Sequence, residues 1–298
     1  MTAPKPKLGH RLTDLFFRGF LRMMLALPLE TRLHLTGKLT SNILAPLTGS
    51  RRRIRNNLAL AMPELPADEV KRLTREVPYH MGRSVMEIYS HADLKEHCKT
   101  NQLTGPGVPA LQEAQATGRG VMIITGHIGS YVAARYSMQD MGFTLGALYK
   151  PMRNPAFNAH YVDAMSANGF PMFEQSRRGL SEMVKHLRSG GMVAIVLDQR
   201  INSAPILSFM DKPARTALSA AEMALKYDAL VIPGYGIRNP DNSFTITAGA
   251  PIPHTTAAEM TQALNDHLAA EVRNHPEQWM WTHNRWKNAG NDTADELR

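Results

Sequence analysis

Hydrophobic and polar residues follow two different patterns along the chain, and the pattern changes near residue 100. Before that point apolar residues recur at helical spacing. They predict helices over 11–27, 29–46 and 51–61, and a longer one from Pro66 to Tyr89 that contains Pro78 as a candidate kink. The first hundred residues are therefore expected to be mostly helical.

After residue 100, short apolar runs alternate with amphipathic segments. Strands are predicted over 121–125, 145–149, 192–197, 230–234 and 243–247. Helices are predicted up to about residue 141 and over 156–167, 179–188, 216–227 and 257–274. Strands separated by helices predict an α/β fold with a mostly parallel central sheet flanked by helices. We expect a single α/β domain over residues 61–298 and a helical N-terminal appendage over residues 1–60.

The basic excess of the chain is confined to that appendage. Residues 1–60 contain 11 Lys and Arg against two acids, whereas the rest contains 23 bases and 24 acids. This distribution argues against a nucleic-acid groove spread over the fold. It favours a basic N-terminal element that meets an anionic surface.

The first predicted helix has the form of an interfacial helix. Its apolar side comprises Leu12, Phe16, Phe17, Phe20, Met24 and Leu27, and its polar side comprises Arg11, Asp14, Arg18 and Arg22. It is too short and too charged to span a bilayer, so it would lie on the membrane. A second cluster, Arg51, Arg52, Arg53 and Arg55, would add attraction to an anionic leaflet. The alternative is an amphipathic helix packed on the protein's own core. Nucleic-acid binding by the arginine run is less favoured, because no aromatic platform accompanies it.

Two predicted strands end in residues that can carry chemistry. His127 follows the strand over 121–125, where Gly126 and Gly129 would let a substrate approach the backbone. Asp198 and Gln199 follow the strand over 192–197. In an open α/β sheet, active sites gather at the carboxyl ends of strands, so Asp198 lies beside His127 if these strands are neighbours. The alternatives are a structural histidine and a capping acid.

Basic residues follow two other elements. Lys150 and Arg153 lie in a Pro-bracketed loop after the strand over 145–149, and they could hold a phosphate. Arg177 and Arg178 precede a helix that is predicted to begin near residue 179, where the helix N-terminus also favours an anion. The alternative for all four is a solvated surface charge.

Several other functional classes are not favoured by the motifs. The "GHIGS" run is not a Gly-x-Ser-x-Gly elbow, and "GPGVPA" lacks the third glycine of a dinucleotide site. The chain has no Gly-Lys-Ser/Thr phosphate loop and no His-Glu-x-x-His motif. The single cysteine, Cys98, excludes an internal disulfide and fits a reducing compartment. We expect no metal and no organic cofactor, and we find no secretory signal.

Five ordered blocks resemble a known family. They are "GRGVMIITGHIGSY", "LYKPMRNP", "RRGL…LRSGGMVAIVLDQ", "ALVIPGYGIR" and "HPEQWMWTHNRWK". Together with "RRRIRNNLALAMPEL" they resemble the lysophospholipid acyltransferase superfamily, and within it the lipid A biosynthesis (lauroyl/myristoyl) acyltransferase branch. The resemblance covers roughly residues 50–288.

The resemblance implies transfer of an acyl chain from a thioester, on acyl carrier protein or coenzyme A, to a hydroxyl of a lipid. By position, His127 is the general base and Asp198 resembles the acid of the third block. Arg153 and Arg177 or Arg178 resemble the residues that hold a phosphate. Other candidate substrate-binding residues are Gly129, Lys150 and Gln199. The implied location is the cytoplasmic face of a bacterial inner membrane, with an acceptor that is either a lipid A precursor or a lyso-lipid such as a lyso-aminolipid.

The chain departs from the family motif at Val132. The motif is His followed by four residues and then Asp or Glu, and Val132 occupies the position of that acid. Three accounts stay open at this point. Asp198 could replace the missing acid, or a backbone carbonyl could hold His127. In the third account the chain is a catalytically impaired homologue that binds lipid without turnover.

Overall fold

The computed structural model describes residues 8–152 and 154–287, so Arg153 lies outside the described residues. The described residues up to residue 100 are mainly helical, as predicted. The helices are α1 (Leu8–Leu25), α2 (Leu29–Leu39), a π-helical turn (Thr40–Leu44), α3 (Ala45–Leu47), α4 (Ser50–Ala61), α5 (Ala67–Tyr89), α6 (His91–His97) and a 3-10 turn (Cys98–Thr100). Pro78 lies inside α5, which continues beyond it to Tyr89.

Strands and helices alternate in the rest of the chain. The strands are β1 (Leu103–Thr104), β2 (Val121–Thr125), β3 (Leu145–Tyr149), β4 (Met172–Glu174), β5 (Met192–Val196), β6 (Ile206–Phe209), β7 (Lys212–Arg215), β8 (Leu230–Arg238) and β9 (Phe244–Ala248). The helices are α7 (Val108–Thr117), α8 (Tyr131–Asp140), α9 (Pro155–Ala167), α10 (Arg177–Arg188), α11 (Ser219–Tyr227), α12 (Ala257–Asn274) and a 3-10 turn (Pro276–Gln278).

All five predicted strands are present, and several other elements lie outside the predictions. Strands β1 and β4 have only two and three residues, which is too short to show a period. The β6–β7 hairpin was also missed; its second strand contains a proline between two basic residues. Helix α7 follows the Gly-Pro-Gly run directly. The missed elements lie around the predicted framework and leave its order unchanged.

The strands form one seven-stranded sheet in the order β1-β9-β8-β2-β5-β3-β4, with a separate β6–β7 hairpin. Strand β2 pairs in parallel with both β5 and β8, and β3 pairs in parallel with β5 and β4. The β8–β9 pair is antiparallel. The predicted fold class, a mostly parallel α/β sheet flanked by helices, is confirmed. Thr125 at the end of β2 lies opposite Val196 at the end of β5, so both strands deliver their next residues to one edge.

The side chains of β2 alternate between two cores. Val121 and Ile123 belong to the cluster that also contains residues of α8, and Met122 and Ile124 belong to the cluster that contains residues of α10, α11 and α12. Helices therefore cover both faces of the sheet, and the open edge at the strand ends is left for a site.

The N-terminal helices pack on the α/β region. Ile54 and Leu58 of α4 belong to a third cluster with Trp279 and Trp281, and the side-chain amide of Asn57 donates to the Trp281 carbonyl oxygen at 2.7 Å. The fourth helix therefore shares a core with the C-terminal segment. The division of the chain at residue 60 stays a prediction.

Helix α1 uses only part of its apolar side for this packing. Phe17 contacts Tyr89 and Phe157, with ring centroids 5.5 and 4.4 Å apart. Phe16 and Leu15 are instead 77% and 69% exposed. The helix thus contacts the core with one part of its apolar surface and presents another to solvent. Among the described helices, none combines the length and apolar character that crossing a bilayer requires.

Candidate active site

His127 and Asp198 meet at the edge formed by the ends of β2 and β5. The ring nitrogen His127 Nδ1 and the carboxylate oxygen Asp198 Oδ1 are 2.7 Å apart. The backbone N–H of His127 donates to the other carboxylate oxygen, Oδ2, also at 2.7 Å. Because the two strands are parallel neighbours, their carboxyl ends place the histidine and the acid side by side. The sequence-based expectation that these two residues adjoin is met.

The Asp198 carboxylate is buried and fully hydrogen-bonded. Only 1% of its side chain is exposed, and its Oδ2 accepts a further hydrogen bond from the indole N–H of Trp279 at 2.9 Å. Burial alone would raise the pKa of Asp198, but the charge of His127 and the hydrogen bonds from His127 and Trp279 lower it to about 2. The carboxylate is therefore ionised at any physiological pH.

An ionised carboxylate can only accept, so the Nδ1 atom of His127 must carry the proton. The opposite ring nitrogen, Nε2, is then the unprotonated acceptor of the neutral imidazole. The side chain is 27% exposed, and the amide nitrogen of Gln199 lies 3.4 Å from Nε2. Burial alone would lower the pKa of His127, but the charge and hydrogen bond of Asp198 raise it above its ordinary value. The site therefore presents an accessible base of increased basicity.

The C-terminal segment holds this pair in place. The Gly129 N–H donates to the Gln278 carbonyl oxygen at 3.1 Å, and the Met280 N–H donates to the His127 carbonyl oxygen at 3.0 Å. These bonds bring Trp279 to Asp198. Sequence reasoning quoted this segment in the family resemblance but assigned Trp279 no function. One signal could have found it: indole is only a donor, so a buried tryptophan needs an acceptor.

The glycines around His127 are required by close packing. A Cβ on Gly126 would lie 2.8 Å from the Leu268 side chain and 3.1 Å from Asp198 Oδ2. Gly129 has a φ of 60°, and a Cβ there would lie 2.0 Å from the carbonyl oxygen of Gly236. Glycine therefore lets Asp198 and strand β8 approach the histidine loop. The proposed contact of Gly129 with substrate stays a prediction.

Val132 lies in the first turn of α8 and is 2% exposed. It belongs to the apolar cluster that contains Ile88, Tyr89 and Tyr136. The position of the motif acid is therefore part of a hydrophobic core in this chain. An acid at this position would accept a hydrogen bond from His127 Nδ1, and Asp198 already accepts that hydrogen bond.

The basic candidates lie at the same edge, farther along the sheet. Lys150 follows β3 and is exposed, while Arg177 and Arg178 are exposed in the first turn of α10. Because β3 and β4 are the second and third strands from β2, their ends lie roughly 10–15 Å from the end of β2 that precedes His127. Arg178 also pairs with Glu182 at 2.8 Å. The structure thus brings His127, Asp198 and Gln199 together and leaves the cations at a distance suited to a remote group.

Comparison with known proteins assigns the chain to a family. The model of the family described as bacterial lipid A biosynthesis acyltransferase matches residues 5–288. The chain belongs to this family. The resemblance drawn from the five sequence blocks is thereby confirmed, and the protein is an acyltransferase that acts on lipid substrates.

Curated relatives include other acyltransferases. A phosphatidylinositol mannoside acyltransferase of Mycolicibacterium smegmatis is 22% identical over 307 residues, covering 98% of this chain and 96% of the relative. One from Mycobacterium tuberculosis H37Rv is 21% identical over 246 residues, covering 80% and 78%. A lipid A biosynthesis lauroyltransferase of Escherichia coli K12 is 24% identical over 243 residues, covering 78% of each chain. Their names concern different lipids, so the family fixes the reaction type more firmly than the acceptor.

Proposed function

We propose that the protein is a membrane-associated O-acyltransferase. It moves a fatty acyl chain from a thioester, on acyl carrier protein or coenzyme A, to a hydroxyl of a lipid acceptor. The observation that carries this proposal is the His127–Asp198 pair, in which one ring nitrogen is held by a buried carboxylate and the other is accessible. No metal or organic cofactor is needed for this chemistry.

His127 acts as the general base in this reaction. The acceptor hydroxyl transfers its proton to Nε2 while its oxygen attacks the thioester carbonyl, and a tetrahedral intermediate with a negative oxygen forms. The side-chain N–H groups of Gln199, close to Nε2, are donors for a substrate oxygen at this point. When the intermediate collapses, the C–S bond breaks and the thiolate takes the proton from the imidazolium. The products are a lipid ester and a free thiol.

Asp198 supports both states of the histidine. It keeps the proton of the neutral ring on Nδ1, and its negative charge stabilises the imidazolium that forms during attack. Trp279 in turn fixes the carboxylate through Oδ2. The acid reaches the histidine from β5, so the reaction does not require a carboxylate at position 132.

The exposed cations serve the anionic groups of the substrates. Arg153 is proposed for this role from its position in the sequence, three residues after Lys150. Lys150, Arg177 and Arg178 lie at the strand-end edge. Their distance from His127 suits a phosphate that is several bonds away from the reacting carbonyl or hydroxyl. Such phosphates occur in the phosphopantetheine arm of both donors and in many lipid head groups.

The N-terminal helices supply the membrane contact in this proposal. Leu15 and Phe16 of α1 are exposed, and so are Ile43 of the π-helical turn and Leu47 at the end of α3. Apolar side chains in an otherwise basic segment are suited to the interface of an anionic bilayer. The proposed location is the cytoplasmic face of a bacterial inner membrane, and the acceptor is a lipid A precursor or a lyso-lipid, including a lyso-aminolipid.

The alternative, a homologue that binds lipid without turnover, was motivated by Val132 alone. The contact of Asp198 with His127 removes that motive, because the histidine has a carboxylate partner despite the altered motif. We therefore favour the active enzyme.

Acyl transfer from a radiolabelled thioester to purified lipid acceptors tests the proposal. We expect the wild-type chain to acylate at least one lipid hydroxyl and His127→Ala to lose almost all of that activity. His254→Ala is the matched control, because His254 contacts the Ala229 carbonyl at the opposite edge of the sheet. Activity that survives His127→Ala, or absence of turnover with every acceptor and both donors, would contradict the proposal.

A further inference from the structure

A second group of polar side chains lies near the β8–β9 turn, on the side of β2 that faces away from β5. Helices α2 and α5 and the β8–β9 turn line an open cavity of about 330 Å³. The lining side chains that matter here are Glu30 and His34 of α2, Tyr79 and Arg83 of α5, and Asn242 of the turn. None of them takes part in the acyl-transfer chemistry proposed above.

Arg83 is a buried cation without a counter-ion. It is only 8% exposed and forms no ion pair with any carboxylate of the described residues. Its Nη2 donates to the Asn242 side-chain oxygen at 2.6 Å, while its buried Nε has no partner. Burial lowers the pKa of Arg83, although Tyr79 and Glu30 nearby raise it. Glu30 lines the same cavity and its charge acts on Arg83, but among the described residues no carboxylate lies within ion-pair distance of the guanidinium, so an anion that contacts it directly gains free energy.

The other basic groups next to Arg83 are paired or neutral. Arg238 is also buried, but it pairs with Glu87. Burial and the charges of Arg238, Arg83 and Arg72 together lower the pKa of His80 to about 3, so His80 stays neutral. Of the three arginines named in this paragraph, Arg83 is the one without an ion-paired carboxylate.

The cavity also offers neutral donors in fixed positions. Asn242 has a left-handed backbone with a φ of 69°, and His97 holds its carbonyl oxygen at 2.8 Å. Since the side-chain oxygen of Asn242 accepts from Arg83, its amide N–H groups are the part left for a ligand. The Tyr79 hydroxyl lies 2.9 Å from His34 Nδ1 at the same wall. A guanidinium, an amide and a hydroxyl together suit the tetrahedral oxygens of a phosphate.

The position of the cavity indicates where that phosphate comes from. In the sheet order, the β8–β9 turn lies on one side of β2, and Lys150 and Arg177 follow the strands on the other. One wall of the cavity belongs to the basic N-terminal helices, and Leu35, an exposed apolar residue of α2, also lines it. Polar side chains with an apolar residue beside them match a lipid head group and the first part of its acyl chain.

We propose that this cavity binds the phosphate of an anionic lipid head group. The site is separate from the proposed phosphate contacts of Lys150, Arg153, Arg177 and Arg178. A lipid bound there contacts both the N-terminal helices and the catalytic region. The proposal does not depend on the role of His127, since binding can be measured without turnover.

Calorimetric titration of the full chain tests this inference with two probes, inorganic phosphate and a short-chain lysophosphatidate. We expect saturable binding of lysophosphatidate, and weaker competition by inorganic phosphate for the same site. Arg83→Gln should weaken binding about tenfold or more, because a hydrogen-bonded buried charge is lost. Arg188→Gln is the control, since Arg188 is exposed at the end of α10.

Asn242→Asp separates loss of binding from loss of folding. It places a carboxylate on the existing contact with Arg83, so the protein should stay folded while the anion site is neutralised from within. We expect this variant to lose lysophosphatidate binding and to keep a normal thermal transition. Unchanged binding in either Arg83→Gln or Asn242→Asp overturns the proposal. Equal affinity for inorganic phosphate and lysophosphatidate overturns its assignment to a lipid and identifies a free-phosphate site instead.

Discussion

Two regions of the molecule could have supplied the acid that orients His127, and they differ in kind. The end of β5 carries Asp198, which is buried but has three hydrogen-bond donors around it. The first turn of α8 carries Val132, which is buried among apolar side chains. The comparison teaches that a catalytic pair is defined by the atoms that meet at the ring nitrogen. Its spacing along the sequence can change as long as another strand end provides the carboxylate.

The largest loss of activity should follow from removing the charge of Asp198 at the end of β5. Asp198→Asn keeps the shape of the side chain but can no longer fix the Nδ1–H tautomer or stabilise the imidazolium. We expect kcat to fall by about four decades, as when the orienting acid of a protease triad is lost. The measurement is the acyl-transfer rate at saturating donor and acceptor. Asp228→Asn, an exposed change at the opposite edge of the sheet, should leave the rate unchanged.

A carboxylate at position 132, in the first turn of α8, should not raise the acyl-transfer rate. Val132→Glu would place a charge in an apolar core whose histidine already has a partner, and an uncompensated buried charge costs about 3–5 kcal/mol of unfolding free energy. Denaturant titration measures that loss, and Val132→Leu serves as the apolar control. If Val132→Glu is stable and faster than wild type, position 132 is still the functional place of the acid.

A smaller effect is expected one contact away from the pair. Trp279→Phe keeps an aromatic ring in the core but removes the N–H that Asp198 Oδ2 accepts. A hydrogen bond to a charged group contributes roughly 1.5–3 kcal/mol, so kcat should fall about 10- to 100-fold. Trp281→Phe is the matched control, because the Trp281 indole donates to the Pro276 carbonyl instead.

The smallest effect separates the two parts of the apolar side of α1. Phe16 is exposed while Phe17 packs on Tyr89 and Phe157. Phe16→Ser should weaken sedimentation with anionic vesicles about tenfold, since a buried Phe contributes roughly 1.5–3 kcal/mol, and should leave unfolding unchanged. Phe17→Ser should instead lower the free energy of unfolding. Equal vesicle binding by Phe16→Ser and wild type, together with full binding by a chain that lacks residues 1–27, would contradict membrane contact through α1.

Local pattern predicted the framework of the fold but only part of the site. The apolar runs located β2 and β5, and the rule that parallel strand ends share an edge placed Asp198 near His127. The third member, Trp279, lies 81 residues beyond Asp198 in the chain, and no local period reports such a contact. The same is true of Arg83, whose partner Asn242 lies 159 residues away. Short strands such as β4 carry too few residues for a period to appear.

Nitrogen NMR of the His127 ring tests the central claim most directly. Above the pKa of the ring, the wild-type chain should show the proton on Nδ1 and a bare Nε2, because the Asp198 carboxylate accepts from Nδ1. The ring should titrate with a pKa above 6.5, since an ionised partner favours the imidazolium, and Asp198→Asn should lower that pKa. A proton on Nε2, or the same titration in the wild-type chain and Asp198→Asn, would contradict the account.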